Sequence, residues 1–363
     1  MHIHRYTYTL LFLSLAIVSC RNNPADTDLH GTTPYDWVES TPAEQGMDDT
    51  LLDAGMEAAE ALGHVKAVVI IRNGFLVKET YFNGTNRYSS HVVHSVSKSF
   101  LSAITGIAIA RGDLPSLSAK VFDYFPQYEY QNMDQRKKQI NVQHLLTMKA
   151  GFADDHETYT YLYYSKDWVG ATLGLPLIAV PGTEFHYNTF ETHLLSAVLT
   201  EATGTPTLDY MNSHLLFDLG ITCDHWEKGP KGYYFGGNNM YFTTRDMARF
   251  GQLYLNNGGM YGRQLLPESW ITASLNYSSG GTRSWGAIEE MGYGYLWWLG
   301  KIAGHSMFTA LGHAGQFIMV IPDLDLVIAV SSQTVPAWDT ADEQERAVTH
   351  VIAEYLVPAA DSQ

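Results

Sequence analysis

The sequence predicts an α/β protein of the α+β type, in which an antiparallel sheet is flanked by terminal helices and carries an inserted, mainly helical lobe. Strand patterns occur near both ends of the 363-residue chain, helical patterns fill its middle, and amphipathic helices flank the strands. Strands from the two ends pair most simply into one sheet. We therefore assign residues 46–115 and 255–363 to an α/β lobe and residues 116–254 to a helical lobe, with a ligand cleft between the lobes.

The first elements are a helix and a hairpin. Residues 48–63 have apolar side chains at helical spacing, an acidic start and a glycine stop, which predict an amphipathic helix. Two apolar runs follow at 65–71 and 75–77. The Asn73-Gly74 pair between them is a strong hairpin signal. Residues 100–110 then form an almost entirely apolar helical pattern.

The remaining elements fall into a helical group and a strand group. Helical patterns joined by long, Tyr-rich loops cover 142–148, 194–202 and 244–255. Strand patterns return from Gly294 onward, and a last amphipathic helix runs from about Asp342 to Leu356. The predicted strands are 295–298, 317–321 and 326–330.

Composition excludes several classes of protein. Hydrophobic residues make up 45% and charged residues 17% of the chain, which is incompatible with intrinsic disorder. Lys and Arg total 22 against 38 Asp and Glu, for a net charge of −16. The only basic cluster is the short run Arg136–Lys138, so we expect no nucleic-acid partner. The composition fits a soluble globular enzyme.

The N-terminus has the pattern of a lipoprotein export signal. A basic start and a short apolar run in residues 1–19 predict a signal peptide, and Ile17–Cys20 resembles the bacterial lipobox, in which Cys20 carries the lipid. Residues 20–45 are mostly polar and predict a linker. We expect an exported protein held to a bacterial membrane by this anchor, in the periplasm or at the cell surface. The alternative is an ordinary signal with Cys20 incidental; a lipidated Cys20 would leave Cys223 without a disulfide partner.

Ser95 and Lys98 carry the strongest chemical signal. They stand three residues apart just before the apolar helix, and Lys98 is the only lysine with a serine three residues before it. Such residues share a helical face. A partly buried lysine is shifted towards its neutral form and can accept the proton of a serine nucleophile. The alternative is a helix cap followed by a solvent-facing lysine.

With these residues the chain resembles the serine β-lactamase and penicillin-binding-protein superfamily, in its β-lactamase-related, class C-like branch. That branch includes esterases, D-aminopeptidases and 6-aminohexanoate-dimer hydrolases. The likeness runs from about residue 46 to the end and implies a β-lactamase/transpeptidase-like fold. Its further motifs are His144–Met148 with Gly151, Pro181–Thr183 with Phe185, Thr244–Asp246 with Ala248–Phe250, and Gly312–Gly315.

The resemblance makes Tyr187 the third catalytic residue. It follows Pro181–Thr183 and precedes a helical pattern, as the family's tyrosine does. We expect the cation at Lys98 to lower the pKa of Tyr187, so that the phenol relays a proton to the leaving group. Asn188 and Thr189 depart from the family's Tyr-x-Asn form and are predicted to bind substrate.

His313-Ala314-Gly315 stands on a strand pattern where lactamases carry Lys-Thr-Gly. We expect His313 and Gly315 to contact substrate, with the glycine allowing close approach of the substrate backbone. The resemblance implies that the main-chain N–H groups of Ser95 and Gln316 form an oxyanion hole. Because His313 is mostly neutral at pH 7 and Ala314 offers no donor, an ester or amide substrate is favoured over a β-lactam.

Other candidates are weaker. Residues 154–157 (Asp-Asp-His-Glu) could bind a metal, although a solvated loop is the expected structure. The aromatic residues between Tyr159 and Trp168 either wall the cleft or belong to the core. We expect local packing for His91 and His94, and no site role for Trp297 or Trp298.

The sequence therefore predicts a serine hydrolase that cleaves a small-molecule ester or amide through an acyl-enzyme, without a metal or organic cofactor. Two alternatives remain open at this stage. One is a β-lactamase or D-peptidase proper. The other is a catalytically weak, lipid-anchored penicillin-binding or sensor protein.

Overall fold

The computed structural model describes residues 36–130 and 133–361. The predicted signal peptide, Cys20 and the first part of the predicted linker lie outside the described residues and stay predictions. The described residues from Trp37 onward form one compact unit. None of the described helices is long and apolar enough to cross a membrane.

An eight-stranded antiparallel sheet organises the described chain, in the order β2-β1-β12-β11-β10-β9-β8-β7. The short strands β3 and β4 pair with each other, as do β5 and β6. The twelve strands of the described residues are β1 Val65–Arg72, β2 Phe75–Tyr81, β3 Ser90–Val92, β4 Tyr241–Thr243, β5 Gly259–Met260, β6 Arg263–Gln264, β7 Ser279–Trp285, β8 Ile288–Tyr293, β9 Trp298–Ile302, β10 His305–Gly312, β11 Gln316–Ile321 and β12 Leu326–Ser332.

The pairing of β1 with β12 joins the two ends of the chain, as the sequence predicts. Val69 lies opposite Ala329 in this pair. The hairpin between β1 and β2 turns at Asn73 and Gly74, whose φ angles of 52° and 79° suit an Asn-Gly turn. An antiparallel α+β fold with helices over the sheet is confirmed.

Successive residues of a strand point to opposite faces of the sheet, and in the central strands β1, β11 and β12 both faces are buried. Val69 and Ile71 enter one apolar core with the helices of the middle of the chain. Val68 and Ile70 enter a second core with the terminal helices. The thirteen α-helices of the described residues are α1 Asp49–Ala61, α2 Ser97–Arg111, α3 Val121–Tyr124, α4 Val142–Leu146, α5 Asp155–Tyr163, α6 Trp168–Gly174, α7 Thr189–Thr203, α8 Thr207–Met211, α9 Phe217–Leu219, α10 Thr244–Leu255, α11 Glu268–Ser274, α12 Trp338–Val351 and α13 Val357–Asp361.

Helix α10 departs from the predicted lobes. We placed residues up to 254 in the helical lobe, but α10 packs against β1, β11 and β12. Gly251 makes this packing close, since a Cβ there would lie 2.7 Å from both Ile318 and Val327. The helix therefore covers the sheet.

Three local predictions are corrected by backbone geometry. Residues 295–297 precede β9 in a turn, in which Leu296 has a φ of 60°, so only Trp298 of the predicted strand is extended. Residues 313–315 form the turn between β10 and β11, not a strand. Strands β7 and β8 lie before Gly294, where we predicted none; β7 is largely exposed and lacks an apolar pattern.

The end of the predicted linker belongs to the sheet edge. The N–H of Ser40 donates to the carbonyl of Leu76, and the N–H of Leu76 donates to the carbonyl of Val38. Residues Ala43–Gln45 form a 3₁₀ turn. The polar composition of residues 38–45 reflects an edge position, where side chains face water while the backbone is paired.

The helix that carries Lys98 is fixed by close packing at Gly106, which gives a stability prediction. A Cβ at Gly106 would lie 2.3 Å from the Trp270 ring. Gly106→Ala is expected to lower the free energy of unfolding by about 1–3 kcal/mol through overpacking, measured by urea denaturation. Gly174→Ala is the control, because no atom lies within 4 Å of its added Cβ. Equal effects of the two substitutions would contradict this packing.

Candidate active site

Ser95 lies in a tight turn that leads directly into α2. His94–Val96 form one turn of 3₁₀ helix, and α2 begins at Ser97. Buried Val93 and Val96 anchor the turn in the apolar core, and the Ser97 hydroxyl donates to the His94 carbonyl at 2.6 Å. His94 has a φ of 46°, a conformation that costs energy for a residue with a Cβ and is often kept at functional sites. The turn presents Ser95 while Lys98 enters the protein.

Lys98 is buried, with 1% of its surface exposed, and touches three oxygen atoms. Its Nζ lies 2.9 Å from Ser95 Oγ, 3.0 Å from Thr189 Oγ1 and 2.7 Å from the carbonyl oxygen of Gly237. Burial lowers the pKa of Lys98 to about 7, against a smaller opposing effect of the Asp155 carboxylate. A lysine with this pKa is substantially neutral near pH 7 and can act as a base.

Thr189 connects Lys98 to a buried carboxylate. The Thr189 hydroxyl donates to Asp155 Oδ2 at 2.5 Å, and the Thr189 N–H donates to Asp155 Oδ1 at 2.7 Å. Burial raises the pKa of Asp155, while Lys98 and the two bonds from Thr189 lower it. Thr189, predicted to bind substrate, lines the cleft, and its hydroxyl is engaged with the lysine.

Tyr187 lies beside Ser95 and Lys98, where the family resemblance places it. The Lys98 Nζ is 4.9 Å from the centre of the Tyr187 ring, and the ring stacks on Trp298 at 5.7 Å. Our expectation of a lowered pKa is wrong. Burial raises the pKa of Tyr187, and a hydrogen bond with Ser95 opposes this only in part. Tyr187 is therefore a protonated phenol at neutral pH.

Asn188 is not available to substrate, contrary to our prediction. It is fully buried and caps α7, where its Oδ1 accepts the N–H groups of Phe190 and Glu191. Its amide nitrogen donates to the carbonyl of Ala153 and to the hydroxyl of Thr158. Its oxygen thus caps α7, while its amide nitrogen ties the start of this helix to the segment around α5.

The turn between β10 and β11 packs against the nucleophile turn. A Cβ at Gly312 would lie 2.2 Å from the carbonyl oxygen of Val93, so a glycine is required for this approach. Gly315 has a φ of 96°, and its missing side chain faces Ser332. The turn thus accounts for a glycine at position 315, and the predicted contact of Gly315 with substrate stays a prediction. Gln316 begins β11, and its side chain is bound to the backbone of Ser332.

The oxyanion hole of the Ser95 and Gln316 N–H groups stays a prediction. The nucleophile turn does pack against both β10 and β11, which brings the two segments together. His313 lies in the cleft wall, and its predicted contact with substrate stays a prediction. Its Nε2 lies 2.8 Å from the carbonyl of Val335, and its ring meets those of His94 and Trp338 edge-on.

These residues surround a cleft of about 390 Å³. Tyr159, Trp298 and Trp338 form the aromatic part of the cleft wall. The sequence left the role of Tyr159 undecided and gave Trp298 no site role, but both contribute to the cleft. The described lining residues are His94, Ser95, Asp155, Tyr159, Tyr187, Thr189, Asn238, Trp298, Leu311, His313, Pro336, Trp338, Asp342 and Glu345.

Sequence reasoning missed two residues around the lysine: Gly237, whose carbonyl contacts Nζ, and Asp155, which reaches it through Thr189. Asp155 was assigned to a solvated loop, but it is buried at the start of α5. Gly237 was not considered; a Cβ there would lie 2.2 Å from Thr192 Oγ1. The signals that existed were an acidic pair before a helical stretch and the pair Gly236-Gly237. Among the described residues, no group of three or more His, Cys, Asp or Glu side chains could hold a metal ion.

A sheet with helices on both faces and a serine–lysine–tyrosine cluster in a cleft defines a hydrolase of the β-lactamase/transpeptidase fold. A family model described as Beta-lactamase matches residues 49–351, which is most of the chain. The protein therefore belongs to the beta-lactamase family, and the suspected superfamily is confirmed.

Individual relatives agree with this assignment. The chain is 24% identical to the 6-aminohexanoate-dimer hydrolase of Paenarthrobacter ureafaciens over 302 residues, covering 76% of this chain and 73% of that protein. A Bacillus anthracis structure assigned to the 6-aminohexanoate-dimer hydrolases has a TM-score of 0.68 at 23% identity, covering 84% and 81% of the two chains. EstCE1, a hydrolase with promiscuous acyltransferase activity, has a TM-score of 0.66 at 15% identity, covering 86% and 98%.

Glu345 gives a prediction about stability and pH. Its Oε1 accepts the N–H of Ala314 at 2.8 Å, and burial raises its pKa from 4.5 to about 7. The folded state therefore holds this proton more tightly than the unfolded state, and the stability it contributes below pH 4.5 is lost as pH rises through 7. At about 1.4 kcal/mol per unit of pKa shift, the loss approaches about 3 kcal/mol.

Glu345→Gln removes this titration while keeping an oxygen for Ala314. The free energy of unfolding of the variant should therefore increase relative to that of the wild type as pH rises from 4.5 to 8. Urea denaturation at fixed ionic strength measures this difference. A difference that does not change with pH would show that Glu345 ionises as freely in the folded as in the unfolded state.

Proposed function

We propose that this protein is a serine hydrolase that cleaves an ester or amide through an acyl-enzyme, with Ser95 as nucleophile, Lys98 as base and Tyr187 as proton donor. The observation that carries the proposal is the 2.9 Å contact between Ser95 Oγ and a buried lysine whose pKa lies near 7. The relationship to hydrolases of the same family supports it.

In the first half-reaction, Ser95 Oγ attacks the substrate carbonyl carbon as its proton passes to Lys98 Nζ. The carbonyl oxygen becomes an oxyanion, for which the N–H groups of Ser95 and Gln316 are the proposed donors; one such donor contributes on the order of 3 kcal/mol. Tyr187 donates its proton as the bond to the leaving oxygen or nitrogen breaks, and it regains a proton from the Lys98 ammonium. The products are the acyl-Ser95 ester and the protonated leaving group.

In the second half-reaction, water attacks the acyl carbon and gives a proton to Lys98. The bond to Ser95 Oγ breaks and Ser95 recovers its proton, which releases the acid. Since Lys98 is neutral at the start of both steps, each has a base of matched pKa without any change in the surrounding groups.

The charge of the cleft favours substrates without a carboxylate. The described lining residues include the acids Asp155, Asp342 and Glu345 but no lysine or arginine. His313 is the residue that stands at the position of the lactamase lysine. A β-lactam carboxylate finds no fixed cation here, whereas a neutral ester or amide with an apolar acyl group fits the aromatic wall.

A substrate panel tests the proposed reaction. We expect hydrolysis of short-chain nitrophenyl esters by the wild type, with little turnover of a chromogenic cephalosporin, because the cleft offers no partner for its carboxylate. D-amino-acid amides and the aminohexanoate dimer complete the panel. Ser95→Ala should abolish turnover and labelling by a fluorophosphonate. Activity that persists in Ser95→Ala would refute the mechanism.

The pH dependence tests the base. Only neutral Lys98 can accept a proton, and its pKa is about 7. The value of kcat/KM for a neutral ester should rise about tenfold per pH unit below pH 7 and level off above it. Lys98→Arg, which stays charged, should be inactive at every pH. A profile that is flat from pH 5 to 9 would exclude Lys98 as the base.

A further inference from the structure

The hydrogen bonds around Lys98 determine the direction in which the lone pair of its neutral amine points. A neutral lysine amine has two hydrogens and one lone pair, and three oxygen atoms surround Lys98 Nζ. The carbonyl of Gly237 can only accept a hydrogen bond, so it takes one of the two hydrogens. The remaining hydrogen and the lone pair are divided between Thr189 and Ser95.

Asp155 decides this division. A hydroxyl has a single hydrogen, and that of Thr189 is directed at Asp155 Oδ2. Thr189 Oγ1 can then only accept from Lys98, which uses the second amine hydrogen. The lone pair is left facing Ser95 Oγ at 2.9 Å, in position to receive the serine proton.

We propose that Asp155 is a positioning residue for the general base, acting through the Thr189 hydroxyl to aim the lone pair of Lys98 at Ser95. The proposal rests on the serine hydrolase function above and adds a residue to it. Asp155 contacts Thr189, which in turn contacts the lysine, so it does not itself take the proton.

The same network suits the charged lysine. Once Lys98 has taken the serine proton, its three hydrogens face three oxygen acceptors, and neither Thr189 nor Asp155 has to turn. The Thr189 N–H donates to the other carboxylate oxygen, Asp155 Oδ1, and this second bond keeps the carboxylate in place. Fixed polar groups that need no reorganisation during the reaction are a main source of catalytic rate.

Asp155→Asn reverses the pattern with little change in shape. The Asn oxygen keeps the bond from the Thr189 N–H, so its NH₂ group faces Thr189 Oγ1 and donates to it. The Thr189 hydrogen then turns to the lone pair of Lys98, which leaves Lys98 donating to Ser95 instead of accepting its proton. We expect kcat to fall roughly 100-fold, the lower end of what general base catalysis contributes.

The effect of removing the Asp155 charge must be separated from the effect of reversing the hydrogen bond to Thr189. Asp155 raises the pKa of Lys98, so its neutralisation also moves the acid limb of kcat/KM to lower pH. Asp154→Asn is the matched control, because it removes a charge one residue away without contact to Thr189. The other titratable groups that interact with Asp155 or Lys98 are His94, Tyr159, Tyr187, Glu191 and Tyr293.

A double-mutant cycle with Thr189→Ala provides the decisive readout. Because Asp155 acts through the Thr189 hydroxyl, adding Asp155→Asn to Thr189→Ala should lower kcat less than threefold, against about 100-fold in the wild-type background. Thr189→Ser keeps the hydroxyl and should retain activity within about threefold. This serine–alanine pair also tests the network if Asp155→Asn does not fold, as judged by its thermal unfolding.

The outcomes separate this inference from the proposed function. Equal losses from Asp155→Asn in both backgrounds, or wild-type kcat in the single variant, would overturn the role of Asp155 while Ser95→Ala remained inactive. So would a Thr189→Ser variant as impaired as Thr189→Ala. Full activity in Ser95→Ala would instead overturn the hydrolase mechanism itself.

Discussion

The burial of one amine, that of Lys98, is the constraint on which the proposed chemistry depends. An ammonium ion removed from water is strongly disfavoured unless it is paired, and Lys98 is 1% exposed. Three oxygen atoms contact the amine, and the Asp155 carboxylate interacts with it through Thr189. These groups lower the free-energy cost of the charged form, but they do not restore the pKa of a free lysine. The amine consequently titrates near pH 7, where it can exchange a proton with a serine at little energetic cost.

Several elements far apart in sequence are needed to enclose that amine. Helix α2 supplies Lys98, the first residue of α7 supplies Thr189, α5 supplies Asp155, and a loop supplies the Gly237 carbonyl. Glycine allows two close approaches at the site: a Cβ at Gly237 would collide with α7, and a Cβ at Gly312 would collide with the chain before His94. His94, which has a positive φ, is a strained residue between strand β3 and Ser95.

The sequence could predict those parts of the fold that follow from local patterns. The Asn73-Gly74 hairpin, the apolar helix after Ser95 and the strands around Pro322 each have a strong periodic or turn signal. Strands β7 and β8 were missed because β7 is largely exposed, β8 is only partly buried and their pairing is register-shifted, so no apolar alternation marks them. The turn at 313–315 was assigned to a strand because apolar runs on both sides hide two positive φ angles.

Some residues of the candidate site could likewise be predicted from local patterns, and others could not. Ser95 and Lys98 are close in sequence, so their spacing predicts their contact, whereas Tyr187 required a family pattern. Asp155 and Gly237 are brought to Lys98 by contacts between distant segments, and the local signals at these positions, an acidic pair and a glycine pair, do not point to the lysine. Asn188 was misassigned because a helix cap and a substrate-binding amide have the same residue type. The direction of the Tyr187 pKa depends on burial, which spacing alone does not give.

The claim on which this account depends is that Lys98 is a neutral amine at physiological pH. Its ionisation can be followed directly by NMR of the side-chain carbon next to Nζ in ¹³C-lysine-labelled protein, with the Lys98 resonance assigned by its loss in Lys98→Arg. The account predicts that this resonance titrates with a midpoint near pH 7. A resonance that stays at the ammonium position up to about pH 10, as for an ordinary lysine, would contradict it.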